Sequence, residues 1–510
     1  MRKVLLAGAA LLGGSVSLAN AQTPTNPMQG QYVAPTGGAG NTSNNNNAWG
    51  IANTPSGSAA AGPLSTMRAP NTYAVPTPGT LVIHMNARVE ADFGANWTTA
   101  DKGTNANGTP NGYKVAPMGV ASDIRLYWGA DGVAANGLRY GAAIEAWQNF
   151  YGGTNYNAGI NAGGLNASGS GNTSGQTIFV RKEFVYLASD KVGVFRLGGA
   201  EGVIGLLDPC IFSSQCWDAG MGTLNGGGPN ALAPQGAMGI PWVWASQSGA
   251  EYATNKIAYL SPQVYGFDFA FSYAPSKGNL FADQSGSTPI QPGVCNQAGP
   301  NCLAVTSGND SSRWINATAA GLRYQHTFGA VDFKAFGLYE ISGKESLSTT
   351  AYLTPAQART APGIAGLTSL RYNNLGFFQG GVAITYSNFT YAIDYMGGQV
   401  DGQLSLNPEG GVSQNAVVTG LTYVNGPWTA GAMIESVDTQ GDARLVGVSQ
   451  RHELGIAVGG NYKLAPGLAV VAEYQYMQRH QGGFDFNQGT LGRTVDGRGQ
   501  GIETALVMNW

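Results

Sequence analysis

Apolar and polar residues alternate one by one along several long stretches of this chain, most clearly over residues 81–93. One face of this stretch is apolar: Leu81, Ile83, Met85, Ala87, Val89, Ala91 and Phe93. The other face is polar: His84, Asn86, Arg88, Glu90 and Asp92. Because successive side chains of a strand point to opposite faces, this alternation predicts a strand. It exceeds the roughly five or six residues typical of soluble strands and reaches the roughly nine to eleven that cross a membrane at a tilt.

Residues 500–510 alternate in the same way. One face holds Ile502, Thr504, Leu506, Met508 and Trp510, and the other holds Gly501, Glu503, Ala505, Val507 and Asn509. This pattern resembles the C-terminal assembly signal of bacterial outer-membrane β-barrels, which end more often in Phe than in Trp. We therefore expect Leu506, Met508 and Trp510 to form such a signal.

Similar segments recur between these two strands. They cover residues 120–129, 138–150, 177–188, 192–199, 250–260, 267–274, 313–327, 330–340, 375–387, 389–397, 414–424, 428–437, 450–464 and 468–479. Their connectors alternate between short turns, such as Ser387-Asn388, and long stretches, such as residues 200–249. Short turns on one rim and long loops on the other are typical of outer-membrane barrels. The pattern therefore predicts an all-β fold, a 16-stranded antiparallel transmembrane β-barrel with short periplasmic turns and long extracellular loops.

The N-terminal region predicts an exported chain. Arg2 and Lys3 precede an apolar stretch, and Ala19-Asn20-Ala21 supplies a small-residue cleavage site, so residues 1–21 are predicted to be a signal peptide. The alternative, a transmembrane anchor, fits a short and Gly-rich stretch less well. Residues 22–78 are rich in Asn, Gly, Pro and Ser without periodicity, which predicts a flexible segment. The barrel domain is then expected over residues 79–510.

Composition narrows the class of protein. Charged residues make up 11% of the chain, against about 25% in soluble domains. Gly is abundant, with 77 of 510 residues, and 10% of the residues are aromatic. No stretch beyond the signal approaches the roughly 20 apolar residues of a spanning helix. A membrane β-barrel fits these values, whereas a secreted all-β sandwich or solenoid remains the alternative; the chain has no short repeat that favours a solenoid.

The chain has four cysteines in two close pairs, Cys210 with Cys216 and Cys295 with Cys302. An exported chain meets an oxidising compartment, so both pairs are candidates for local disulfides. Four cysteines allow three pairings, and metal binding is the alternative. No histidine lies near either pair in the sequence, which disfavours a metal.

Two segments resemble a known family. Residues 255–273, NKIAYLSPQVYGFDFAFSY, resemble a hairpin of the Gram-negative general diffusion porins of the alphaproteobacterial type, with a Ser-Pro turn between aromatic strands. Residues 184–202, FVYLASDKVGVFRLGGAEG, resemble the preceding porin hairpin, whose second strand ends in an Arg and a Gly before the constriction loop. The resemblance covers roughly residues 80–510. It implies a homotrimer of water-filled channels in the outer membrane, each narrowed by an inward-folded third loop.

Charged side chains opposite the apolar stripes are expected to line the lumen, because an Arg that faces lipid at mid-bilayer costs about 2–4 kcal/mol. The candidates on the wall are Arg88, Glu90, Asp92, Asp123, Arg125, Arg139, Glu145, Arg181, Glu183 and Arg196. The third long connector adds Glu201, Asp208 and Asp218, and no Lys or Arg lies between Arg196 and Lys256. The hypothesis is an eyelet in which these loop acids face the Arg cluster of the wall. The alternative places the charges at the rim, in contact with water or lipopolysaccharide, and the loop outside.

The sequence gives little support for catalysis. The four histidines, His84, His326, His452 and His480, are dispersed, and no nucleophile-elbow, metal-protease or phosphate-loop motif is present. The expectation is therefore no enzyme, no cofactor, no metal and no nucleic acid partner. The expected partners are small hydrophilic solutes, outer-membrane lipid and lipopolysaccharide, and the barrel-assembly machinery. A sugar- or anion-specific porin, a barrel-embedded hydrolase and an adhesive surface protein stay open as alternatives.

Overall fold

The computed structural model describes most of the predicted barrel. The described residues are 78–99, 102–104, 110–114, 118–149, 178–189, 191–200, 202–207, 255–276, 314–344, 372–401, 406–465, 468–486 and 490–509. For a few positions within the strands only the backbone is described. The predicted signal peptide, nearly all of the 22–78 segment and all four cysteines lie outside these residues.

One closed barrel of sixteen strands dominates the described part of the chain. Numbered in chain order, the strands are β1 Thr80–Thr98, β2 Met118–Val133, β3 Arg139–Asn149, β4 Ile178–Ser189, β5 Gly193–Gly199, β6 Asn255–Leu260, β7 Phe267–Ser276, β8 Trp314–Phe328, β9 Val331–Lys344, β10 Leu375–Tyr386, β11 Phe389–Gln399, β12 Gln414–Asn425, β13 Trp428–Thr439, β14 Arg451–Ala465, β15 Leu468–Gln481 and β16 Gly497–Asn509. Each strand pairs antiparallel with its neighbours, and β1 pairs with β16 to close the barrel, for example Phe93 with Thr504. The predicted all-β barrel is confirmed, although β1 and β2 are longer than the sequence pattern indicated.

The two faces of the strands differ in chemistry. On β11, Phe389, Tyr391, Ile393 and Tyr395 are exposed, whereas the residues between them, such as Asp394, are buried. β16 repeats the pattern with Ile502, Leu506 and Met508 exposed and Ala505 and Val507 buried, as its alternation predicts. A belt of exposed aromatic and aliphatic side chains is unfavourable in water and is what a lipid-facing barrel surface requires. Trp510, the predicted last residue of the signal, lies outside the described residues.

Short turns and aromatic side chains gather at one rim. The turns between β8 and β9, β10 and β11, and β12 and β13 contain Gly329, Ser387 and Gly426, each at positive φ, which tight hairpins require. Nearby, Phe389 packs on Tyr423 with ring centroids 4.7 Å apart, and Trp428 packs on Tyr462 at 4.4 Å. Rings at a rim match the aromatic girdle that marks a membrane interface.

Helices play a small part in the described structure. One helix, α1, covers Val203–Leu207 directly after β5, and a 3-10 turn covers Ala443–Leu445. Two short pairs of strands, Lys102–Thr104 with Pro110–Lys114 and Phe484–Asp485 with Thr490–Leu491, lie in long connectors. Among the described residues, no helix is long and apolar enough to cross a membrane.

Candidate functional site

The inner face of the barrel is rich in charge. Buried acids and bases occur on the strand face opposite the exposed apolar belt: Glu145, Arg196, Lys256, Asp268, Arg323, Glu340, Asp394, Glu435, Arg451, Glu453, Glu473 and Arg479. Charges are retained inside a protein only when they are paired, hydrogen-bonded or hydrated. Opposed positions on neighbouring strands supply such pairs: Glu453 lies opposite Arg479, with Oε1 and Nε 2.6 Å apart. The interior of the barrel therefore combines charged side chains with apolar ones.

Helix α1 lies inside this interior. Val203, Ile204, Leu206 and Leu207 are at most 1% exposed. A Cβ added to Gly321 would lie 2.6 Å from Cδ1 of Leu207. Gly321 belongs to the inner face of β8, because Ala319 and Arg323 on either side are buried while Leu322 is exposed. The third long connector thus begins by folding inward against the wall.

A buried ion pair fixes α1 to the wall. Arg323 lies opposite Asp268 in register, and its Nη2 donates to Oδ2 of Asp268 at 2.8 Å. The Nε of Arg323 bridges both carboxylate oxygens at 3.1 and 3.3 Å. The remaining Nη1 donates to the carbonyl of Leu206 at 3.1 Å, and the Val203 N–H donates to Oγ of Ser272 at 3.3 Å. Arg323 was not among the predicted lumen residues, although its alternation with exposed Leu322 could have identified it.

Three predicted lumen residues lie on the inner face. Glu145 is buried on β3, and Arg139 shares its face, two residues from the hairpin turn. Arg196 on β5 is 1% exposed, and its guanidinium lies 4.9 Å from the centroid of the Phe184 ring. Near Arg139, the hydroxyl of Tyr186 donates to the buried carboxylate of Asp131. The inner wall of β2 to β5 therefore combines acids, bases and aromatic rings.

Glu183 lies on the other face. It is exposed together with Val185 and Leu187, whereas Phe184 and Tyr186 between them are buried. The structure therefore corrects the lumen placement predicted for Glu183. The physical reason is that residues 184–187 are apolar on both faces, so the charge pattern does not choose between them. In addition, the pairing of β3 with β4 skips one residue of β4, since Glu145 pairs with Lys182 and Ala146 pairs with Val180. Strict alternation counted across the skipped Arg181 therefore assigns residues to the wrong face.

The other predicted site residues are not tested by the structure. For Arg88, Glu90, Asp92, Asp123, Arg125 and Arg181 the backbone lies in described strands, but the side chains lie outside the described part. Glu201, Asp208, Asp218, Cys210, Cys216, Cys295 and Cys302 lie outside the described residues altogether. Their lumen, eyelet and disulfide roles stay predictions, as do the lumen roles of Arg139, Glu145 and Arg196.

Charged residues on the second half of the barrel were not among the predicted lumen residues. Glu435, Glu453, Glu473 and Arg479 are buried on β13, β14 and β15. Each alternates with exposed or half-buried residues, as Glu453 does with His452 and Leu454, so the same pattern could have identified them. Within the described ranges, no three His, Cys, Asp or Glu side chains converge as metal ligands.

Comparisons with known proteins identify a family and several similar structures. A family model described as Gram-negative porin matches residues 90–482. Among solved structures, an anion-selective porin from Comamonas acidovorans is 14% identical, with 84% of this chain and 100% of that chain covered and a TM-score of 0.45. The trimer form of OmpT, an outer membrane protein of Vibrio cholerae, is 12% identical with the same coverage and a TM-score of 0.43. A mutant of Rh. blastica porin is 13% identical, again covering 84% and 100%, with a TM-score of 0.40. The search of curated proteins finds no match.

Proposed function

Because this chain belongs to the Gram-negative porin family, we propose that its barrel conducts ions and small hydrophilic solutes by passive diffusion. Family membership supports an outer-membrane porin channel. A porin forms no bonds, and its selectivity follows from the diameter of the lumen and the charges that line it. The apolar outer face of the barrel suits contact with lipid, and its inner face carries charges that can line a lumen.

The position of α1 is the observation that best supports this proposal. Because residues 203–207 lie against the inner wall, the connector that follows starts from within the lumen. We propose that it narrows the channel, with Glu201, Asp208 and Asp218 facing the basic side chains of the wall, such as Arg196. Opposed charges across a narrow aqueous passage create a transverse field, which favours polar solutes over apolar ones.

Single-channel recording tests the constriction. Asp208→Asn with Asp218→Asn is expected to change conductance and ion selectivity, because two charges leave the narrowest part of the lumen. The matched control is Asp438→Asn, which removes a partly exposed carboxylate on β13 that shares its face with exposed Ile434. Unchanged conductance and reversal potential in the Asp208→Asn, Asp218→Asn variant would refute the eyelet.

Liposome swelling with sugars of increasing size tests general diffusion. Entry that declines gradually with size is the expected result. Saturable uptake of one sugar or anion would instead identify a substrate-specific porin. Absence of any entry would contradict the channel and favour a structural role.

We also infer a homotrimer that contacts lipopolysaccharide and is inserted by the barrel-assembly machinery. The exposed apolar side chains of the outer face, such as Phe269 and Ile393, offer surface for subunit and lipid contacts. The last strand pairs with β1 through Leu506 and its neighbours, so closure of the barrel depends on that strand. Chemical cross-linking in native membranes is expected to give trimers; a single monomeric band would contradict this assignment.

A further inference from the structure

The long connectors after β11, β13 and β15 pack together at the extracellular rim. Their described residues, 400–401, 406–413, 440–450, 482–486 and 490–496, are here called the cap. Inside the cap, Leu406, Leu445, Phe484 and Phe486 are at most 5% exposed. A Cβ on Gly410 would lie 3.4 Å from Val446, and one on Gly483 would lie 3.4 Å from Leu445. The three connectors thus share one small apolar core.

Part of the cap lies within the outline of the barrel. Arg451 begins β14 on the inner face, because it is buried like Glu453 and Ala457 while His452 between them is exposed. The guanidinium of Arg451 lies 5.7 Å from the ring centroid of Phe484 and 5.2 Å from that of Phe486. A cation over two aromatic rings holds those rings beside it. The connector after β15 therefore folds inward over the lumen.

Gln481 ties a second connector to the same place. This last residue of β15 lies on the inner face with Arg479 and is 0% exposed. Its Oε1 accepts from the Asp442 N–H at 3.2 Å and from Nε of Arg451 at 3.2 Å. Its Nε2 donates to the carbonyl of Gln440 at 2.9 Å. The backbone of residues 440–442 is therefore held against an inward-pointing side chain.

The connector after β11 joins the other two through Gln440. The Val412 N–H donates to Oε1 of Gln440 at 3.1 Å, and the carbonyl of Val412 accepts from Nδ2 of Asn407 at 2.7 Å. Gln440 and Asn407 are both 0% exposed. Buried amides that hydrogen-bond from one segment to another favour one arrangement, because displacement leaves costly unpaired groups. The cap is thus a fixed part of the fold on the β11 to β16 side of the mouth.

We propose that the cap is a second constriction, at the extracellular mouth, which limits the size of hydrophilic solutes before they reach the third connector. The proposal rests on the channel function stated above but not on the eyelet charges. Solutes must pass beside the cap, whose buried core includes Phe484 and Phe486, because it occupies space above the lumen. Removal of the cap should widen the mouth without changing the wall.

Two variants test this role. The first deletes residues 484–495 and joins Gly483 to Asp496. Its ends already lie close, since the Gly483 N–H donates to Oγ1 of Thr494 at 2.8 Å, and loop shortening leaves the strands intact. The second is Phe484→Ala with Phe486→Ala. Tyr391→Ala with Tyr395→Ala is the matched control, because it removes two exposed rings from the outer face of β11.

Both cap variants are expected to raise single-channel conductance and to admit larger sugars in liposome swelling, while the control keeps the parent values. Barrel content measured by circular dichroism confirms folding, and the deletion decides the question if the alanine variant misfolds. Parent-like conductance and sugar size limit in the deletion variant would overturn the cap proposal. If the parent protein itself conducts no current, the proposed channel function is refuted instead.

Discussion

Two parts of this barrel fold inward, and they are held by different means. Helix α1 packs four apolar side chains against the wall and is fixed by one ion pair, Arg323 with Asp268. The cap depends on neutral amides: Gln481 makes several hydrogen bonds, and the side chain of Gln440 accepts one from the Val412 N–H. Removing one partner of a buried ion pair costs several kcal/mol, whereas one neutral hydrogen bond contributes about 1 kcal/mol. We therefore expect that one substitution in the ion pair releases α1, whereas the cap loses stability gradually as its hydrogen bonds are removed one by one.

The largest expected effect comes from breaking the ion pair. Arg323→Met leaves the Asp268 carboxylate buried without its partner, and we expect a loss of about 3–5 kcal/mol in the free energy of unfolding. Release of the Leu206 carbonyl should also free α1 and make the open-channel current noisier. Denaturant unfolding of the detergent-solubilised protein and single-channel recording measure the two effects.

The double variant Arg323→Met, Asp268→Leu separates charge from packing. Both groups are at most 5% exposed, and replacing a whole buried pair by apolar residues is often close to neutral. We expect most of the stability to return in the double variant. If Arg323→Met alone stays within about 1 kcal/mol of the parent, the pair is hydrated and does not anchor α1.

A smaller effect is expected from filling the space under α1. In Gly321→Ala the new Cβ would lie 2.6 Å from Leu207 and 2.7 Å from Cβ of Leu338. Overpacking of this kind costs about 1–3 kcal/mol, and here it should push α1 into the lumen and lower conductance. Gly337→Ala on β9 is the control, because its nearest atom, in Phe378, would be 3.5 Å away. Equal conductance in both variants would contradict the contact between α1 and β8.

The cap should respond more locally to the loss of one amide. Gln481→Leu removes four hydrogen bonds to Gln440, Asp442, Ser449 and Arg451. We expect a loss of about 1–3 kcal/mol, confined to the cap, because the groups left behind are partly buried. Amide exchange should quicken in residues 440–450 and not in the strands. Gln478→Leu, on the opposite face of β15, is the control, and equal exchange in the two variants would show that Gln481 does not hold the cap.

The difference between the two inward parts also explains what the sequence could predict. Strict alternation was sufficient for β1 and β16, because lipid demands apolar side chains on every second residue. It failed at Glu183, where both faces of β4 are apolar next to a register shift. No local sequence pattern predicts the cap, since Gln481 and Gln440 are 41 residues apart and come into contact only in the folded barrel. The inward start of the third connector was expected from a family resemblance, whereas its anchor at Arg323 required the pairing register of β7 and β8.

The smallest expected effect concerns pH at the end of the cap. The hydrogen bond with Nδ1 of His480, 2.6 Å long, holds the pKa of the Asp496 carboxyl below its ordinary value, and Arg498 adds to this effect. A carboxyl with a lowered pKa in the fold stabilises it above its unfolded pKa of about 3.9, and this contribution is lost as pH falls through the folded pKa. Because the Asp496 side chain is partly exposed, at 30%, solvent screens the contact and the contribution should be below about 1 kcal/mol. Amide exchange of residues 490–496, corrected for the intrinsic effect of pH, should therefore quicken below about pH 4 in the parent and show no such step in Asp496→Asn. The control is Asp438→Asn, which breaks a similar contact between Asp438 and His452 on the outer face of the barrel and should keep the step. If the step is lost in Asp438→Asn, the acid response does not arise at Asp496.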